Sequence, residues 1–241
     1  MAKKNTRENE RRAIAEQMRK EQARKERRRS LLILGACVLV VLGLLGSAVF
    51  VYVKDRRADA KAAGTPIAEL GVSKAKAGCS AAKSVDATGS GQHIDPGKKI
   101  DYPAAPPAFG PHWPNFLQGS EIRSFYTVDD RPELERMVHS LEHGHTILWY
   151  DDTVKPGTDA YQDVKAISNK FDPESDKFMA APWKSSDGKS FPSGKHVALT
   201  HWTGPQNQKG VTQYCAAPSG AVVQEFMKAN PASSAPEPEA P

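Results

Sequence analysis

The chain predicts a small mixed domain of α+β or α/β class, carried behind a single transmembrane helix. Three observations predict it: an uncharged apolar run over residues 31–53, helix-period stripes alternating with short β-type runs after about residue 130, and a proline-crowded stretch between them.

The first element is a basic tail, residues 1–30, with 12 Lys and Arg against 5 Glu, a net charge of +7. The whole chain carries +5, so everything from residue 31 onward sums to about −2 and the high pI belongs to the tail. Residues 31–53 form 23 uncharged positions, enough for a helix to cross a hydrocarbon layer. A cleaved signal peptide would have a shorter apolar core and a small-residue cleavage site after it. Basic flanks stay on the cytoplasmic side. The expected location is therefore the cell membrane, single-pass, with the N terminus cytoplasmic and the C-terminal domain extracytoplasmic. Arg and Lys interleaved with Glu, Gln and Ala describe a solvated helix beside an anionic lipid surface, which attracts each cation by about 1 kcal/mol. No zinc knuckle, helix-turn-helix or aromatic stacking pattern accompanies the charge, so the expected partners are membrane lipid and an envelope protein rather than nucleic acid.

Residues 54–78, rich in Ala, Lys and Gly, read as a linker. The domain then spans residues 79–230, roughly 150 residues and long enough for one core. Residues 231–241, built of Pro, Ala, Ser and Glu, offer nothing to bury and are expected to be disordered. Cys37 lies inside the span, whereas Cys79 and Cys215 sit near the ends of the domain, on the side where disulfides persist. Their pairing would stabilise the fold by about 4 to 5 kcal/mol in the chain-entropy model.

Within the domain, Gly89 to Gly119 carries Pro96, Pro103, Pro106, Pro107, Pro111 and Pro114, which excludes a regular helix or central strand. Phe109, Trp113 and Phe116 in the same stretch need a surface, so it is expected to be ordered. Asp129 and Asp130 offer a cap for a helix from about Arg131 to His143, ended by Gly144. Leu134, Met137, Val138 and Leu141 make its buried stripe. His145 to Tyr150 reads as a buried strand, Thr158 to Phe171 as a helix, Lys195 to Trp202 as a second strand, and Pro218-Ser219 as the start of a last helix through Val222, Val223, Phe226 and Met227. Strand order stays open.

The chemistry concentrates at His139, Glu142 and His143. On a helix they cluster within about a third of a turn, away from the apolar stripe. They are therefore expected to face solvent or a site covered by another part of the chain, not the core. Imidazoles one turn apart suit zinc or copper, and His112, in the stiff proline segment, supplies a further donor. The string His139-x-x-Glu142-His143 also matches an inverted zinc-peptidase pattern with Glu142 as base. Against it, Gly144 ends the helix at once and neither Glu174 nor Glu225 is an evident third ligand. His93, His196 and His201 read as surface or hydrogen-bonded residues. No glycine-rich phosphate cradle or nucleophile elbow is present.

Pro106-Pro107-Ala108-Phe109-Gly110-Pro111-His112, then Val138 to Gly144 before an apolar strand, then Val197 to Trp202, resembles the domain of unknown function 3105 family. Members are commonly membrane-anchored. The resemblance spans roughly Cys79 to Ala229 and implies that His112, His139, Glu142, His143 and Gly144 are the signature positions. It departs at Ala108-Phe109, at His145 and at His201, so the last two are not carried over as ligands. Three functional readings follow: a transition-metal binder using His112, His139 and His143 with Glu142; a structural or interaction module of the envelope; and a metal-dependent hydrolase.

Overall fold

The computed structural model describes residues 2–240. Met1 and Pro241, the ends of the expected tails, lie outside the described residues. The chain divides into residues 1–57 and residues 58–241. Helix α1 (Ala2–Gly64) occupies the first unit and gives its last residues to the second. Among the described residues it is the one helix long and apolar enough to cross a membrane, and its most apolar window is wholly unburied.

The second unit is built on a five-stranded mixed sheet in the order β1-β5-β4-β2-β3. Its strands are β1 (Lys83–Asp86), β2 (Thr146–Tyr150), β3 (Phe178–Pro182), β4 (Val197–Thr203) and β5 (Lys209–Cys215). Only β2 and β3 are parallel, joined through helix α3 (Asp159–Ser168) as a parallel pair requires; the other pairings are antiparallel.

β2 is buried along its whole length because both faces of the sheet are covered. Leu148 and Tyr150 point into one cluster with Val164 and Ile167 of α3 and Val222, Val223 and Phe226 of α4 (Gly220–Ala229). Ile147 and Trp149 point the other way, to Leu134, Met137, Val138 and Leu141 of α2 (Leu134–Glu142). The α2 stripe read from the sequence is thus a core face. The helix is shorter than expected. Pro132 and Glu133 precede it, and Asp130 does not cap it but accepts from Thr127 N at 2.6 Å and pairs with Arg123. Arg131, outside the helix, forms a buried two-pronged ion pair with Asp187.

Residues 54–78 depart from the expected linker. Helix α1 continues to Gly64, Lys165 pairs with Asp59 at 3.1 Å, and Leu70 and Ala77 are core residues. The segment is held mainly through its backbone: Gly220 N donates to Leu70 O and Ala216 N to Ala77 O, contacts that composition does not display. Gly220 permits this approach, since a side chain there would overlap Ile67 O. The Cys79–Cys215 disulfide is formed, joining the end of this segment to the end of β5, and Cys37 is free.

The C-terminal stretch departs likewise from the expected disorder. Ala235 is fully buried, Thr203 Oγ1 donates to Ser234, and Glu237 N donates to Glu142 O at 3.0 Å. It has little to bury, but it satisfies backbone groups where β4 and α2 end.

Two histidines fix how this core responds to acid. His201, fully buried on β4, has Nδ1 at 3.1 Å from Thr146 Oγ1, and burial pushes it down to about 4. Burial, helped by Lys177, pushes His145 down to about 3. Unfolded histidine takes up its proton near pH 6.5, so between that pH and the folded values the unfolded chain binds more protons. Stability is therefore full above pH 6.5 or so and falls as the pH drops toward 4. His201→Gln should remove about 2 kcal/mol of the loss between pH 7 and pH 5, measured by denaturant unfolding at both values. An equal loss in variant and parent would contradict this account.

Candidate functional site

Helix α2 is buried on both sides. Met137, Val138 and Leu141 are inaccessible on the sheet side, and on the other side His139, Glu142 and His143 are no more than 5% exposed. Of the two surroundings the sequence left open for these three, solvent or a site covered by another part of the chain, the structure shows the second: the proline-rich segment lies over them. Arg136, one turn before His139, fastens that segment by donating to Asn115 O and Phe116 O, while its guanidinium also pairs with Glu121 at 2.8 Å. Tyr102 OH donates to Pro111 O, Trp113 Nε1 to Lys98 O, and Tyr214 OH to Ala105 O. The segment is ordered, as its aromatics predicted.

This docking sets the protons of two imidazoles. His112 Nδ1 lies 2.9 Å from Gly110 O, and His139 Nδ1 lies 2.6 Å from Trp113 O. A carbonyl oxygen only accepts, so each Nδ1 carries the hydrogen and donates it. In the neutral rings Nε2 is then a bare lone pair. Burial, reinforced by the neighbouring His112, pushes His139 down to about 4, so its ring is neutral at pH 7. Burial alone would raise Glu142, but His112, His139 and His143 outweigh it and hold the carboxyl below its usual range.

His112 Nε2 and Glu142 Oε2 are 3.0 Å apart. That is ion-pair distance, although no hydrogen bond of acceptable geometry joins the two atoms. At that separation a proton on Nε2 or a bound cation must lie between the two groups.

The cluster is completed by a residue the sequence reading set aside. A short parallel bridge, His112 N to Gln92 O at 3.0 Å and Ile94 N to His112 O at 2.8 Å, brings His93 alongside His112. The His93 ring stands 5.0 Å from that of His112 and 5.3 Å from that of His139. One donor atom each from His93, His112, His139 and Glu142 lie within 4.8 Å of one another, a grouping able to hold a metal ion. His93 shares the stiff segment that carries His112, but the bridge that brings the two together leaves no mark in the sequence.

His143 is outside this group. Its ring is 4.5 Å from that of His139, but its Nε2 faces Glu237 at 3.7 Å and its ring packs on Phe116. The arrangement therefore does not reproduce the peptidase pattern, which needs both helix histidines on one ion. Gly144 turns the chain with φ +92°, where Ala232 O would meet a Cβ at 2.7 Å.

A mixed-sheet domain with a buried histidine and carboxylate cluster, behind a helix long enough to span a membrane, is the class of protein these observations define. The family model described as "Protein of unknown function (DUF3105)" matches residues 93–241, taking in all four donors, and the chain belongs to that family. A second family model, described as "Inhibitor of host cell division protein domain", matches residues 9–63. That match lies within α1. No curated protein and no solved structure matches the chain.

Gly91 shapes the cluster from above: a Cβ there would overlap Glu142 Oε1 and touch Trp202 at 3.4 Å. Gly91→Ala is expected to cost about 1 to 3 kcal/mol of stability through this overpacking, read as a lowered Tm. An unchanged Tm would show that Glu142 does not lie against Gly91.

Proposed function

We propose that this chain is a membrane-anchored transition-metal binder whose ion, zinc or copper, is held by His112, His139 and Glu142 with His93 as the fourth donor. The observation that carries the reading is the shared direction of the protons. His112 and His139 both give Nδ1–H to backbone carbonyls, the arrangement by which a fold fixes the tautomer and orientation of a ligating histidine. Neutral nitrogen donors and a carboxylate suit these metals. A tetrahedral ion with bonds of about 2.0 to 2.1 Å needs donors roughly 3.3 to 3.5 Å apart, so a cluster spread within 4.8 Å closes on it through small side-chain movements.

A second reading is favoured by the 3.0 Å approach of His112 to Glu142. With a further proton on Nε2 the two would form an ion pair, and the cluster would serve to dock the proline-rich segment in a structural or interaction module. Metal analysis after purification without chelators separates the two. The proposed function predicts about one zinc or copper ion per chain, lost in His112→Ala and in His139→Ala and strongly weakened in Glu142→Gln, which leaves the two Nδ1–H bonds to the segment in place. Metal-free wild-type protein that cannot be loaded would favour the structural module.

The placement we infer has residues 1–30 in the cytoplasm and the domain outside. The basic excess before the span and the disulfide in the domain support it. Protease added to the outside of intact cells is expected to cut beyond Cys79 and to spare a tag at the N terminus. Cleavage of that tag with an intact domain would reverse the topology.

A further inference from the structure

The four donors are not alike. His112, His139 and Glu142 are all but sealed, at 0%, 3% and 5% exposure, and each imidazole of the pair is locked by its bond to a carbonyl. His93 is exposed. Its backbone is held on both sides, through Gln92 O and Ile94 N, but among the described residues no hydrogen bond holds its imidazole, which rests edge-on against His112 and tilted against His139. The cluster thus has three donors that cannot leave without disturbing the core and one that can swing by rotation about its own side chain. Backbone opening is not required.

Resting on the metal-binding reading, we propose that His93 is the exchange ligand of this site. A divalent ion arriving from solvent meets the exposed imidazole first, is passed to Nε2 of His112 and His139 and to Glu142, and leaves by the reverse path when a competing donor displaces His93. Only metal–ligand bonds change in this step, each bond to an incoming donor replacing one to an outgoing donor, with no redox change. The domain is then a carrier that takes an ion from, or yields it to, another chelator at its surface. A closed structural ion, four-coordinate with buried ligands on all sides, would not behave in this way.

The test uses the full chain in detergent, loaded with Zn(II) or, in a parallel series, Cu(II), and then mixed with an excess of a chromogenic chelator. His93→Gly should still load but release its ion roughly tenfold faster or more, since changes in affinity within one site fall mainly on the off-rate. Millimolar free imidazole, able to enter the exposed position, should restore slow release. His112→Gly should not retain the ion, and imidazole should not rescue it, because that position is sealed. Where His112→Gly does not fold, Glu142→Gln provides the buried-donor comparison at unchanged volume. Release from His93→Gly at the wild-type rate would mean that His93 is no ligand, and complete loss of loading would make it one of the locked donors; either outcome overturns the exchange role while leaving the metal site standing. Wild-type protein that takes up neither ion overturns both.

Discussion

Two ring protons organise this domain. The Nδ1–H groups of His112 and His139 are given to Gly110 O and Trp113 O, and those bonds hold the proline-rich segment against the polar side of α2. Much else depends on that contact. It seals a helix whose other side is already committed to the sheet, it turns the two Nε2 atoms inward, and it places Glu142 where a carboxylate would otherwise have no reason to be buried. An ionised carboxylate taken out of water costs several kcal/mol unless positive charge or hydrogen bonds surround it. Here imidazoles stand around it, and a bound cation would complete the compensation.

The rest of the fold reads as support for this contact. Arg136 clamps two further carbonyls of the segment, and the bridge from Gln92 and Ile94 to His112 adds a second layer over it. The C-terminal stretch binds the last carbonyl of α2 through Glu237 N. Each fastening satisfies backbone groups that burial would leave unpaired, so a segment with many prolines and little regular structure becomes part of the interior.

Much of the fold was legible in the sequence, and the unread parts share a physical reason. The stripe of α2, the apolar run of β2 and the periodicities of α3 and α4 announce themselves because each buries side chains at a regular spacing. β3, with Ala180, Ala181 and Pro182, and β5, with polar residues at many positions, do so weakly: their place is fixed by pairing with β2 and β4. The packed residues before Cys79 and after Asn230 contribute mainly backbone bonds, which composition does not record. In the site, His112, His139 and Glu142 could be selected from helical geometry and the stiffness of the proline segment. His93 could not, because its nearness to His112 comes from a backbone bridge between distant parts of that segment. His143, one residue beyond Glu142, was selected by the same geometry but turns toward Glu237 and Phe116, which the helix angle alone does not foresee.

The central claim is that the fold itself fixes a proton on Nδ1 of His112 and His139 and turns Nε2 of each toward the cluster, before any ion arrives. Long-range proton–nitrogen correlation spectra of the metal-free protein at neutral pH read this directly, through the nitrogen shifts of each imidazole. The account predicts a protonated Nδ1 at both residues, with a lone-pair Nε2 clearly separated in shift at His139. An Nε2–H tautomer at either residue, or a doubly protonated His139, would contradict it.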